Sequence, residues 1–195
     1  MFSGTMGREV ERAKIAVTKA KEGNHVVMVS SGDPGVYGMA GIVLEVAAME
    51  KADLPVEIVP GITAATAAAS ELGAPLVSDF AVISLSDLLT PWEKIERRLE
   101  AASSADFSIV LYNPKSEGRI EPLMKAYEIM LKHINPNTPV GIVKQAGREG
   151  ETVKVTTLKE LLNADIDMVT TIIVGNSATK VVKGKMVTAR GYDLK

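Results

Sequence analysis

The residues with the clearest chemical content lie at 30–41, where the chain reads Ser-Ser-Gly-Asp-Pro-Gly-Val-Tyr-Gly-Met-Ala-Gly. Glycines at 32, 35, 38 and 41 let backbone come close to a bound molecule, and Pro34 gives the loop a rigid corner. Neither a Walker sequence ending in Gly-Lys-Ser/Thr nor a Gly-x-Gly-x-x-Gly pattern is present. With no lysine to meet a phosphate and with Asp33 inside it, the loop suits a ribose diol or an ammonium group better than a polyphosphate. A cationic, ribose-bearing cofactor fits that chemistry. A plain tight turn cornered at Pro34 is the competing reading.

Other chemistries are narrowed by composition. The 195 residues contain no cysteine, which excludes a thiol nucleophile, a disulfide framework and a cluster held by this chain's own thiolates. Its two histidines, His25 and His133, are too few and too far apart to suggest a metal site. A net charge of −2 with interspersed signs gives no basic stripe for nucleic acid. Apolar runs are of strand length, so no membrane segment is expected, and a reducing cytoplasm is compatible. At 46% hydrophobic, the chain can bury one large core or two small ones.

The elements that must position the loop follow from periodicity. Val10, Ala13, Val17 and Ala20 recur at helical spacing, and Gly23 stops that helix. The run 25–30 reads as a strand before the loop, 39–50 as a helix after it, 56–59 as a second strand ending in Pro60-Gly61-Ile62-Thr63, and 64–71 as an alanine-rich helix. Strand, turn and helix thus repeat, which favours parallel pairing and an α/β fold. A domain boundary is placed near 76–80, giving an N-terminal α/β domain over 1–78 and a C-terminal one over 79–195. In the second, 80–84, 108–112, 140–144, 152–156, 169–174 and 185–188 read as strands, and 120–133 as an amphipathic helix. The 140–144 and 152–156 strands are expected to pair antiparallel. Thr157 with Glu160 reads as a capping box, and Thr90-Pro91-Trp92-Glu93 as an N-cap, a proline at the first helical position and a second capping box.

Three motifs then occur in order: Ser31-Gly32-Asp33-Pro34-Gly35-Val36-Tyr37-Gly38, Pro60-Gly61-Ile62-Thr63-Ala64 and Leu111-Tyr112-Asn113-Pro114. Together they make the chain resemble the tetrapyrrole (corrin/porphyrin) methylases of cobalamin biosynthesis. Ser86-Asp87-Leu88-Leu89-Thr90-Pro91-Trp92-Glu93 and Gln145-Ala146-Gly147-Arg148-Glu149 resemble the branch that methylates carbon 17 of precorrin-3B or cobalt-factor III and contracts the ring. The resemblance implies two α/β domains with S-adenosylmethionine in the cleft between them, a homodimer, and a tetrapyrrole substrate. The family's opening strand, with its Gly-x-Gly-Pro-Gly-Asp loop, has no match before Arg8, where the sequence begins Met1-Phe2-Ser3-Gly4-Thr5-Met6.

Site residues carry over by motif. Gly32, Asp33, Pro34, Val36, Tyr37 and Gly38 match the family's cofactor loop, and Thr63 and Ala64 match a second cofactor contact. Tyr112, Ala146, Thr170 and Thr171 stand at strand ends expected to line the same site. Methyl transfer from a sulfonium to carbon needs alignment and exclusion of water rather than a covalent nucleophile. Ring contraction needs a proton donor or acceptor, for which Asp87, Ser84 and Ser86 are the candidates. The substrate's carboxylate arms want cations: Arg119 and Arg148 are offered, while Lys115 reads rather as a solvated loop charge. No metal held by the protein is expected. A related methylase acting on another acceptor, or a protein that holds cofactor or tetrapyrrole without turnover, remains an alternative.

Overall fold

The computed structural model describes residues 7–116 and 118–193, an α/β chain with two mixed sheets. The chain groups into two compact units that meet in sequence between Thr63 and Ala64. The expectation about an opening strand concerns residues 1–6, which lie outside the described residues.

In the first unit, helices α1 (Glu9–Lys21) and α2 (Ala40–Met49) pack Ala13 and Val17 against Val46 and Ala47. Glu9 and Glu11 in the first turn of α1, and Lys19 and Lys21 in its last, complement the helix dipole. Gly23, at φ +86°, turns the chain out of the helix as expected. The runs 25–30 and 56–59 depart from expectation: among the described residues neither enters a ladder, and Val27 and Val29 are each 84% exposed. Apolar composition satisfies only the side-chain half of a strand. The backbone half needs a partner to take its N–H and C=O groups.

The second unit holds α3 (Ala64–Leu72), β1 (Gly73–Ala74), β2 (Phe80–Ser84), α4 (Trp92–Ser104), β3 (Ser108–Tyr112), α5 (Glu121–Leu131), β4 (Pro139–Lys144) and β5 (Thr152–Thr157). A 3-10 turn over Leu158–Asn163, then β6 (Thr170–Val174), β7 (Thr179–Val182) and β8 (Lys185–Thr188) complete it. The larger sheet has the order β2-β3-β6-β4-β5; β2 and β3 run parallel, and the other pairs are antiparallel, including the expected β4–β5 pair. Period-two alternation sorts its side chains onto two buried faces. Ile109, Leu111, Ile142, Ile172 and Val174 pack with Leu99 of α4 and Met130 of α5, whereas Val110, Val143 and Ile173 pack with Ala68 and Leu72 of α3. Gly141 makes room for α3: a Cβ there would stand 2.2 Å from a terminal carbon of Leu72.

The helix starts need correction. The N-cap of α4 is Pro91, not Thr90, and makes no side-chain cap; Thr157 is the cap residue of the 3-10 turn, but its buried hydroxyl has no hydrogen-bond partner. Backbone bonds from Lys94 and Ile95 to the Pro91 carbonyl close the first turn of α4 instead. Strand β7 adds to the expected elements, because Lys180, Val181 and Val182 are all exposed and give no alternation. Its readable signal is Lys183-Gly184, a two-residue hairpin turn with positive φ at both positions, +50° and +78°.

Candidate functional site

In the first unit the glycine loop is tied to the Pro60-Gly61 turn by one carboxylate. Asp33 Oδ1 accepts from the Gly35 amide at 2.8 Å, and Oδ2 accepts from the Gly61 amide at 2.9 Å. These bonds, first from Gly61 and then from Gly35, hold the Asp33 carboxyl below the usual aspartate range against the opposing pull of desolvation. Gly61 has to be glycine for this approach, since a Cβ there would lie 2.2 Å from the Gly32 carbonyl oxygen. Gly38 likewise faces the Pro34 carbonyl, where a Cβ would come within 2.6 Å. Pro34 itself accepts from the Ala40 amide at 3.0 Å, at the entry to α2. Tyr37 takes a left-handed backbone, φ +53°, with its side chain 59% exposed, and Val36 is also exposed. Asp33 is thus first an internal pin, and the glycines serve contacts within the two loops. Thr63, half-buried, ends this unit.

In the second unit the candidate residues gather at one edge of the larger sheet, the carboxyl ends of β2, β3 and β4 beside the amino end of β6. Ser84 stands opposite Tyr112 in the parallel β2–β3 pair, while Thr170 and Thr171 stand opposite Lys144 and Val143. Beyond the strands, Asn113 Nδ2 donates to Ser84 Oγ at 2.9 Å, and the Ser86 amide donates to the same oxygen at 3.2 Å. Arg119 joins the two loops: it donates to the Leu85 carbonyl at 2.8 Å, to the Asn113 carbonyl at 3.1 Å and to Ser116 Oγ at 3.4 Å. Its guanidinium also stands 3.8 Å from Asp87 Oδ1. Asp87, Ser84 and Arg119 are therefore brought together, with Arg119 committed to acceptors of its own chain.

Tyr112 accepts from the Ala65 amide at 2.6 Å, fixing the first turn of α3, the helix that Ala64 opens. Ala146 packs beside it against the α3 face of the sheet. Thr170 is buried; its hydroxyl donates to Asp167 Oδ1 at 2.7 Å, and Asp167 Oδ2 lies 2.8 Å from Lys144 Nζ. Burial works to raise the Asp167 carboxyl, but Lys144, Thr170 and the Val169 amide outweigh it and hold it low. Lys144 is held above its usual value by Asp167 and then by Asp165. Arg148 sits exposed in the β4–β5 turn, with no ion pair to a described residue. Sequence reasoning assigns no role to Asn113, Gln145, Lys144 or Asp167. The signal for the first two is a polar residue directly after a strand; both adopt positive φ, +52° and +54°, a conformation that marks strained strand ends near sites. Among the described residues no group of three histidine, aspartate or glutamate side chains is placed to hold a metal ion.

The family model for Tetrapyrrole (Corrin/Porphyrin) Methylases matches residues 3–162. This chain belongs to the tetrapyrrole methylases. As a methylase it is 50% identical, over 97% of its length and 78% of the relative's, to a probable cobalt-factor III C(17)-methyltransferase of Salmonella typhimurium. It is 43% identical to a precorrin-3B C(17)-methyltransferase of Sinorhizobium sp, over 90% of this chain and 70% of that protein. A cobalt-factor III methyltransferase of Priestia megaterium, 49% identical across this whole chain, is much longer, and the match spans 37% of it. The crystal structure of the methyltransferase CobJ aligns with a TM-score of 0.86 at 38% identity, over 93% of this chain and 77% of that one.

Proposed function

We propose that this methylase transfers a methyl group from S-adenosylmethionine to carbon 17 of a cobalamin-pathway tetrapyrrole, precorrin-3B or cobalt-factor III, with ring contraction. The observation that carries the reading is the 50% identity over nearly the whole chain to a relative named for that reaction. The glycine loop fits the cofactor: residues 30–41 and 60–66 contain no lysine or arginine, so these segments offer amides, hydroxyls and exposed apolar side chains but no phosphate-binding cation. Val36, Tyr37 and Ile62, all exposed, suit the flat adenosine, and Gly32, Asp33, Pro34, Gly38, Thr63 and Ala64 shape the backbone that holds it. Tyr112, Ala146, Thr170 and Thr171 are assigned to the same cofactor. When bound, S-adenosylmethionine supplies an electrophilic methyl group on a sulfonium.

What the chain contributes is alignment, dryness and proton handling. Ser84, held by Asn113 and the Ser86 amide, and Asp87, facing Arg119, are the groups assigned to the proton that ring contraction moves. The protein acts as a cytoplasmic homodimer on this reading. Incubation of the purified chain with S-adenosylmethionine and cobalt-factor III tests it: the product gains one methyl group by mass spectrometry, and S-adenosylhomocysteine appears in equal amount. Methyl transfer to RNA or to an elongation factor instead would replace the acceptor. Cofactor binding with no transfer to any of them would leave a binding protein.

A further inference from the structure

Arg119 and Lys115 stand in the same loop, and the structure gives them opposite circumstances. The Arg119 guanidinium is taken up by the Leu85 and Asn113 carbonyls, Ser116 and Asp87. Lys115, half-buried and two residues beyond Asn113, makes no ion pair with any described residue. It lines a cavity of about 540 Å³ whose other walls include Ile120, Ile166, Met168 and Val169. A second cavity of about 140 Å³ shares Lys115, Ile120 and Ile166 and continues along Leu123 and Met124. The acid in the larger cavity, Asp167, is already matched by Lys144, Thr170 and the Val169 amide. The space therefore has apolar walls and one cation without a counter-ion among the described residues, next to Thr170 at the candidate edge.

We propose that this cavity takes a carboxylate-bearing alkyl arm of the tetrapyrrole, with its stem on Ile120, Ile166 and Met168 and its carboxylate on the Lys115 ammonium. Arg119, in contrast, is a positioning residue that fixes the loop carrying Asp87. An apolar wall with one placed charge is the usual recipe for orienting such an arm. A lysine whose stem lies along apolar surface while its head meets an anion fits it. The proposal rests on the tetrapyrrole reading above and deepens it.

The test is titration of the full chain with uroporphyrin III, a polycarboxylated porphyrin, followed by porphyrin fluorescence anisotropy, together with KM for cobalt-factor III. Lys115→Gln is expected to raise both Kd and KM roughly tenfold while leaving S-adenosylhomocysteine affinity unchanged, and Lys115→Arg to recover most of the loss. Met168→Asp, which puts an acid into the cavity at a partly exposed position, is expected to weaken porphyrin in the same way. A Lys115→Gln chain that binds porphyrin within about twofold of the parent overturns the assignment of Lys115 while leaving the methylase reading intact. A parent chain that neither binds porphyrin nor methylates cobalt-factor III overturns the tetrapyrrole reading and, with it, the occupant of the cavity.

Discussion

At the candidate residues of each unit a charged side chain pins two loops together, and these two pins are opposite in sign. In the first unit the Asp33 carboxylate accepts from the amides of Gly35 and Gly61; in the second the Arg119 guanidinium donates to the carbonyls of Leu85 and Asn113. An anion collects N–H groups and a cation collects C=O groups, so each pin selects which face of the peptide units its loops turn inward. The supports differ as well. The Arg119 loops leave a parallel strand pair, which continues through the Leu85 amide to the Tyr112 carbonyl at 2.9 Å. The Asp33 loops leave runs that enter no ladder among the described residues, and they depend on Gly61 for a close backbone approach. One pin thus tightens an existing scaffold, and the other supplies much of its own.

The largest expected effect is from Arg119→Ala. It removes charged donors from two carbonyls at a side chain only 19% exposed, a loss of about 3 kcal/mol in urea unfolding. Arg119→Lys should recover less than half, because a single ammonium cannot bridge both carbonyls as a planar fork does. Full recovery by lysine would mean that charge, not geometry, holds the second-unit loops.

Gly61→Ala probes the first unit. Its Cβ would need to occupy space 2.2 Å from the Gly32 carbonyl oxygen, so the two turns have to part, at about 1–3 kcal/mol. Calorimetry should find S-adenosylhomocysteine binding weakened at least tenfold, while amide exchange in β3 and β6 stays slow. Unchanged affinity would detach the Pro60-Gly61 turn from the cofactor site. Tyr112→Phe is milder. It deletes the acceptor for the Ala65 amide and should cost about 1 kcal/mol, read as faster exchange at Ala65.

The same contrast explains what is legible in the sequence. Ile109, Leu111, Ile172 and Val174 alternate with Val110 and Ile173 in strands that find partners, so apolar runs and ladders coincide in the second unit. Val27, Val29 and Val59 carry the same strand-like composition but stay exposed, because hydrophobic pattern does not specify who pairs with the backbone. At the site, residue type and loop position are readable: Asp33, Ser84, Asp87, Tyr112 and Arg119 fall on loops or strand ends as expected. Their partners are not. Nothing local tells that Asp33 reaches an amide 28 residues away, or that Arg119 reaches a carbonyl 34 residues away, and those contacts give both residues a pinning role that their sequence position does not reveal.

Asp33→Asn is expected to have the smallest effect at neutral pH, and it isolates the sign of the pin. The Gly61 and Gly35 amides hold the folded carboxyl below its unfolded value of about 3.9. A group with a lowered folded pKa stabilises the fold above its unfolded pKa, and that contribution disappears as pH falls through the folded pKa. The parent's first-unit loops should therefore loosen in acid below about pH 4, seen as loss of the bonded amide shifts of Gly35 and Gly61 by NMR. The carboxamide of the Asp33→Asn chain can accept through one oxygen only, so one of those shifts should be lost already at neutral pH, with no further change across the acid window. The Arg119→Ala chain, altered only in the second unit, should keep the parent's acid response in the first. An Asp33→Asn chain that still loosens in step with the parent would assign the acid response to another carboxylate and leave Asp33 a dispensable contact.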